Sequence, residues 1–195
     1  MFGGCADRAL LTGTTRRLRE LLEASGCRLR DVPAQHCCGA LASHTDRPRR
    51  AARLRAVNLA AFAPHLEACD HIVVAAAGCG QELAGYPADF AVKVVDAAVL
   101  LAMLPLPPLA AVPLRVAIHD PCHARHTRGI LAEPRWLLAR IPGLILREPA
   151  ERDVCCGSAG AYALRHRELS EAMGRRKAQA LADTGCDLVV TTNPG

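Results

Sequence analysis

The stretch LRVAIHDPC at positions 114–122 decides the fold that this 195-residue sequence predicts. Residues 114–119 form a short run rich in apolar and β-branched side chains, which is typical of a strand buried in a parallel sheet. The run leads directly into Asp120, Pro121 and Cys122. Since α/β folds bind ligands beyond the carboxyl ends of their strands, this stretch predicts an α/β layout with a cysteine at the ligand-binding edge.

The sequence repeats itself with an offset of 117 residues. Under this offset CDHIVV at 69–74 aligns with CDLVVT at 186–191, and Cys5 aligns with Cys122. With one further residue, CCG at 37–39 aligns with CCG at 155–157. The repeat thus organises seven of the ten cysteines, which are Cys5, Cys37, Cys38, Cys79, Cys122, Cys155 and Cys156.

Both ends of the sequence lead us to expect a fragment of a longer protein. Only four residues precede Cys5, whereas a predicted strand precedes Cys122. The repeat of Cys79 would fall on the residue after Gly195. We therefore expect the sequence to lack at least one edge strand and one cysteine.

Strands and helices alternate along both halves. Short β-branched runs predict strands at 72–76, 114–119 and 187–192. Helical patterns predict helices at 49–66, 134–140 and 158–184, and a further one from Thr14 or Thr15 to a stop at Gly26. The patterns predict an α/β fold of two pseudo-repeated halves, each with a small, mainly parallel sheet flanked by helices.

A proline-rich segment separates the two halves. Residues 97–114 carry no charge and approach the length of a membrane span. Prolines remove amide donors and break helices, and four of them lie here, Pro105, Pro107, Pro108 and Pro113. We therefore predict a helix over 96–104, a linker at 105–113, domains at 1–104 and 114–195, and no transmembrane segment.

The basic residues concentrate in the first 55 positions, which hold 11 arginines against 5 acidic residues. Aromatic residues are scarce, and no nucleic-acid-binding module is recognisable. A docking surface for an acidic partner, or a solvated helix face, is therefore favoured over nucleic acid. The arginines concerned are Arg16, Arg17, Arg19, Arg47, Arg49, Arg50, Arg53 and Arg55.

The abundance of cysteines points to metal binding, catalysis or burial. Their density is below that of a disulfide scaffold and no export signal is visible, which predicts a reducing cytoplasm. Adjacent cysteines such as Cys37 and Cys38 suit different irons of one cluster better than a single zinc ion. A helix after each CCG would direct its positive end at an anionic cluster, and Gly39 and Gly157 let backbone amides approach a sulfide.

Several individual residues also suit roles other than cluster ligation. The CCG cysteines fit buried packing or a redox-active vicinal thiol pair. Packing is favoured for Cys27, Cys69 and Cys186. The histidines near Cys122 suit hydrogen bonding better than the role of a missing fourth ligand; they are His119, His123 and His126.

Several motifs together resemble a known family. They are QHCCGA at 35–40, AGCG at 77–80, HDPCH at 119–123, CCGSAGAY at 155–162 and TNPG at 192–195. The pattern is similar to the tandem cysteine-rich CCG domains of heterodisulfide reductase-related iron–sulfur oxidoreductases, among them the C-terminal region of glycolate oxidase iron–sulfur subunits. The resemblance extends over nearly the whole sequence.

The resemblance implies an electron-transfer subunit that is not catalytic alone. It implies a flavoprotein subunit that oxidises a 2-hydroxy acid of glycolate type, with electrons relayed towards a quinone-linked acceptor, in the cytoplasm or peripherally at the inner face of the membrane. Cys5, Cys37, Cys38 and Cys79 would ligate one [4Fe-4S] cluster. A second cluster would take most of its ligands from Cys122, Cys155 and Cys156.

The sequence departs from the family pattern in two further respects. The ferredoxin-like region that precedes the CCG domains is not in it, and Cys79 is followed by Gly80, Gln81 and Glu82, where heterodisulfide reductase-like members have Cys-x-x-Cys. The alternative function is a thiol–disulfide oxidoreductase that uses a cluster or the vicinal cysteines. A zinc-binding or metal-free structural module is the third hypothesis.

Overall fold

A computed structural model describes residues 1–158 and 160–194, which divide into two compact units at Pro107 and Pro108. Every strand pair in both units is parallel, and helices flank the strands. The predicted α/β class is therefore confirmed. Ala159 and Gly195, which belong to the predicted helix at 158–184 and the predicted second domain, lie outside the described residues.

The first unit places a short parallel sheet among helices. Its strands are β1 (Ile72–Val74) and β2 (Val94–Asp96). Its helices are α1 (Cys5–Leu10), α2 (Thr12–Ala24), α3 (Ala40–Ser43), α4 (Pro48–Phe62), α5 (Ala77–Ala84), α6 (Ala88–Ala91) and α7 (Ala97–Met103).

The second unit has a sheet of order β4-β3-β5. Its strands are β3 (Arg115–His119), β4 (Ile145–Arg147) and β5 (Leu188–Thr191). Its helices are α8 (Ala132–Ala139), α9 (Tyr162–Arg165) and α10 (Arg167–Ala182), and a π-helical turn covers His123–Thr127.

The sheet register reproduces the sequence repeat. Phe2 forms a parallel bridge with Val74, and its amide donates to the Val73 carbonyl at 2.8 Å. In the second unit His119 pairs with Thr191. Both partners of this second pair lie 117 positions beyond those of the first. The backbone at Phe2 therefore pairs with β1 in the same way as β3 pairs with β5 in the second unit.

The core of the first unit is aromatic. Phe62 lies 6.1 Å from Phe2 and 5.4 Å from Phe90, measured between ring centroids, and Tyr86 lies 5.1 Å from Phe90. All four side chains are buried around β1. They fix the strand whose carboxyl end leads into Cys79.

Several predicted boundaries are wrong for local physical reasons. The helix predicted at 49–66 ends at Phe62, where Pro64 turns the chain into a 3₁₀ turn. The helix predicted at 158–184 is broken, since α9 begins only at Tyr162 and His166 adopts a non-helical conformation before α10. The three-residue strands β2 and β4 are too short to give a sequence pattern. Among the described residues, none of the helices combines the length and apolarity needed to cross a membrane.

Candidate functional site

Four cysteines of the first unit converge beyond the carboxyl end of β1. Cys5 begins α1, Cys79 lies in the first turns of α5, and the adjacent Cys37 and Cys38 lie in the loop before α3. The Sγ atoms of Cys5 and Cys37 are 3.6 Å apart, and those of Cys38 and Cys79 are 3.3 Å apart. Residues up to 74 positions apart in sequence thus form one group of thiols.

Two glycines let the backbone approach these sulfurs. A Cβ atom on Gly4 would lie 3.2 Å from the Sγ of Cys79 and 2.7 Å from Oδ2 of Asp7. Gly39 has a φ of +99°, a left-handed conformation that favours glycine, and α3 begins directly after it. The predicted helix after the first CCG is therefore confirmed.

A buried amide and a phenol hold the backbone of the cysteine pair. Asn58 Oδ1 accepts from the His36 amide at 2.7 Å, and Asn58 Nδ2 donates to the Cys37 carbonyl at 3.0 Å. The Tyr86 hydroxyl donates to the Cys38 carbonyl at 2.8 Å. Asn58 also donates to this hydroxyl, at 3.1 Å, so one network fixes both peptides.

The thiols of the pair hold their protons strongly. A hydrogen bond with Cys38, followed by burial, raises the pKa of Cys37. For Cys38 the hydrogen bond with Cys37 lowers the pKa, but the bond with Cys79 and burial outweigh it and raise the value to about 12. Metal binding to these ligands would therefore release protons.

The second unit positions its three predicted cysteines by the same scheme. Cys122 follows β3, and Cys155 and Cys156 lie in the loop that ends at Gly157. The Gly157 amide donates to the Sγ of Cys155 at 3.3 Å. Burial first, and then the neighbouring Cys155, raises the pKa of Cys122. Among the described residues, the first helix after this CCG begins at Tyr162, so the start predicted at residue 158 is wrong.

Ion pairs frame the second set of cysteines. The buried Asp120 accepts two hydrogen bonds from Arg135, at 3.0 and 2.8 Å, and pairs with Arg125 at 3.4 Å. Arg125 also pairs with Asp153, two residues before Cys155. Asp120 thereby links the Cys122 segment to the loop that carries the CCG motif.

The remaining candidate residues lie apart from these groups or at their edges. The Sγ atoms of Cys69 and Cys186 contact backbone carbonyls at 3.6 and 3.8 Å, and Cys27 is half-buried. His123 Nδ1 lies 3.6 Å from the Sγ of Cys122, and His126 is exposed. Burial lowers the pKa of His119 at the end of β3.

The sulfurs of the first unit form two close pairs. Within 1–158 and 160–194, no three His, Cys, Asp or Glu side chains surround a single point as ligands of one metal ion do. The described sites therefore lack a preformed mononuclear centre. The sequence had not indicated Asn58 or Tyr86, since a single polar residue gives no motif.

The family model of the cysteine-rich domain CCG matches residues 1–84 and 116–195 of the sequence. The chain belongs to the CCG cysteine-rich domain family. The two matched segments correspond to the two halves of the repeat, and each contains one group of cysteines described above. The predicted family is therefore confirmed.

This CCG protein is similar along its whole length to curated proteins. It is 32% identical, over 100% of its own length and 47% of the relative, to a probable glycolate oxidase iron-sulfur subunit of Bacillus subtilis (strain 168). It is 30% identical, over 100% and 51%, to the glycolate oxidase iron-sulfur subunit of Escherichia coli (strain K12). Lactate utilization protein A 2 of Bacillus mycoides is 26% identical over 100% and 86%. The chain spans about half of the length of the first two relatives.

Proposed function

We propose that this CCG protein is an iron–sulfur electron-transfer subunit of a flavin-linked oxidoreductase that acts on a 2-hydroxy acid of glycolate type. The observation that carries the proposal is the convergence of Cys5, Cys37, Cys38 and Cys79 beyond β1, with sulfur pairs at 3.6 and 3.3 Å. Four thiol ligands from three separate segments of the chain are the donor set of a [4Fe-4S] cluster. When bound, such a cluster supplies a one-electron carrier.

The protein residues would act as ligands and as their supports. Cys5, Cys37, Cys38 and Cys79 would hold one cluster, and Cys122, Cys155 and Cys156 would provide three ligands of a second. Asn58 and Tyr86 would keep the Cys37 and Cys38 peptides in place, since their hydrogen bonds satisfy both carbonyls. The two domains, 1–104 and 114–195, would each be one electron-transfer site.

The partners follow from the same proposal. The name "iron-sulfur subunit" of the glycolate oxidase relatives implies further subunits, and the proposal takes a flavoprotein subunit of the same complex as the electron donor. A quinone-linked acceptor would receive the electrons, with the protein in the cytoplasm or peripherally at the inner face of the membrane. The exposed arginines of α4, such as Arg49, Arg50 and Arg53, would suit an acidic docking partner.

Anaerobic reconstitution with iron and sulfide tests the proposal. We expect about four irons and four acid-labile sulfides for the first site, with an EPR signal after reduction. Cys38→Ser should lose this iron, whereas Cys69→Ser, which changes a cysteine outside the group, should keep it. Equal iron in both variants, or iron that binds without sulfide, would overturn the proposal.

Thiol–disulfide exchange is the second candidate function, favoured by the 3.3 Å separation of the Cys38 and Cys79 sulfurs. Oxidation of this pair would join the two sulfurs, release two protons and pass two electrons to a disulfide substrate, which becomes two thiols. The same preparations distinguish the candidates. Turnover of a small disulfide by the iron-free chain, lost in Cys38→Ser, would favour exchange over electron transfer by a cluster.

A further inference from the structure

The two cysteine groups are built on one repeated scaffold, which allows their surroundings to be compared position by position. In the first unit a Cβ atom on Gly39 would lie 3.6 Å from the Ala51 carbonyl oxygen of α4. In the second unit a Cβ atom on Gly157 would lie 2.6 Å from the Ser170 carbonyl oxygen of α10. Ala51 and Ser170 are thus the equivalent contacts of helix with CCG loop.

Two helical turns beyond this contact, both helices place a buried polar residue. Asn58 lies seven residues after Ala51 and is 0% exposed, and Lys177 lies seven residues after Ser170 and is 3% exposed. Asn58 binds the His36 and Cys37 backbone. Lys177 Nζ donates to the Glu151 carbonyl oxygen, just before the Cys155–Cys156 pair. One scaffold position therefore carries a neutral amide in the first unit and an ammonium group in the second.

The two units also differ in the buried residue that lies two positions after the first cysteine of each group. Asp7 follows Cys5 by two residues and is 5% exposed, whereas Ala124 follows Cys122 by two residues and is 1% exposed. Asp7 Oδ2 accepts from the Gly4 amide at 3.1 Å. A Cβ atom on Gly4 would lie 2.7 Å from this oxygen and 3.2 Å from the Sγ of Cys79, so the carboxylate and the sulfur are close neighbours. The first unit thus has a buried carboxylate beside its sulfurs where the second has a methyl group.

Neighbouring charges leave this difference in place. The carboxylates around Lys177 have arginine partners: Arg135 binds both Asp120 and Glu148, Arg125 pairs with Asp120 and Asp153, and Arg176 binds Glu151. Among the described residues, Asp7 forms no ion pair within 4 Å. Burial lowers the pKa of Lys177, and Cys156 is the first of the groups that act against this. Buried charges are screened less than exposed ones, so Lys177 and Asp7 contribute more to the local potential than exposed charges do.

We infer that Lys177 and Asp7 hold the two cysteine sites at different electrostatic potentials, with the second site the more positive. A group bound by Cys155 and Cys156 then accepts an electron more readily than one bound by Cys38 and Cys79. This inference rests on the proposed electron-transfer function and adds an order of reduction potentials to it, with the second site higher than the first.

The charge itself is testable on the iron-free chain. Dithiobis(nitrobenzoate) is a dianionic disulfide and dithiodipyridine a neutral one, and both react with the same thiolate, so the ratio of their rates reports the local potential. Lys177→Gln should lower the anionic-to-neutral ratio about tenfold on the peptide that carries Cys155 and Cys156, as expected for a dianion about 6 Å from one charge in water. Lys177→Arg should restore the ratio.

Two further variants complete the design. Arg175→Gln removes a charge from the exposed face of the same helix and should change the ratio less than twofold. Asp7→Asn keeps the hydrogen-bond acceptor for Gly4 and should raise the ratio at Cys79. An unchanged ratio in Lys177→Gln and Asp7→Asn, or an equal change in Arg175→Gln, would overturn the inference even if the chain binds iron.

The reconstituted chain provides the second measurement. In an EPR-monitored redox titration, Asp7→Asn should raise the midpoint potential of the first cluster by about one tenfold step in the reduction equilibrium, which is about 59 mV for one electron. A midpoint that falls or stays fixed would overturn the inference. Absence of iron from the parent chain would refute the proposed function, and the reagent ratios would still decide the charge difference.

Discussion

Replacement of Asn58 by alanine should be among the most damaging single changes outside the cysteines. The side chain is 0% exposed and satisfies the His36 amide and the Cys37 carbonyl, at 2.7 and 3.0 Å. Alanine leaves both groups without a partner. Each orphaned group costs about 1 to 3 kcal/mol. We therefore expect Asn58→Ala to lower the free energy of unfolding by about 2 to 6 kcal/mol.

Urea denaturation of the iron-free chain measures this loss. Arg53→Ala, an exposed change on the same helix, serves as control and should stay within about 0.5 kcal/mol of the parent. Tyr86→Phe should cost about 1 kcal/mol, because it removes the hydroxyl that donates to the Cys38 carbonyl. A loss below 1 kcal/mol for Asn58→Ala would refute the role of this amide in holding the loop.

Two further predictions concern the second unit. Gly157→Ala should destabilise it by about 2 kcal/mol or more, since φ is +78° and the new Cβ would meet the Ser170 carbonyl oxygen at 2.6 Å. Gly13→Ala, in open space within α2, should be neutral or stabilising in the same thermal denaturation; equal losses would contradict the packing argument. Hydrogen bonds from Arg115 lower the pKa of Asp187 from 3.8 to about 2, so this carboxylate stabilises the fold above pH 3.8 and loses that effect as the pH falls to about 2. Asp187→Asn should therefore be less stable than the parent at pH 6 and approach it near pH 2, and a constant difference in urea denaturation across this range would argue against the pairing.

The sequence repeat sorted the cysteines into two groups, but it did not indicate which residues hold them in place. An offset of 117 residues aligns Cys5 with Cys122, and one of 118 residues aligns the two CCG motifs, because the second unit repeats the strand register of the first. Asn58 escaped prediction, since a buried polar residue on a helix depends on a loop that lies 21 positions earlier.

The sequence analysis missed the two shortest strands, β2 and β4. Val94–Asp96 and Ile145–Arg147 contain three residues each, too few for an alternating pattern, and their strand state comes from pairing with β1 and β3. The long helix predicted at 158–184 failed for a different reason. Gly157 has a positive φ and lies against the Ser170 backbone of α10. The chain therefore turns at Gly157 instead of entering a helix there.

The two units solve one structural problem by different means. Each must hold a CCG loop against a helix at the edge of a parallel sheet. The first unit uses an aromatic core and neutral hydrogen bonds from Asn58 and Tyr86. The second uses charge, with Asp120 bound to two arginines and Lys177 bound beside the cysteine pair. Because a duplicated scaffold keeps its backbone contacts while its buried side chains vary, the electrostatic difference between the two sites arises from the same residues that stabilise them.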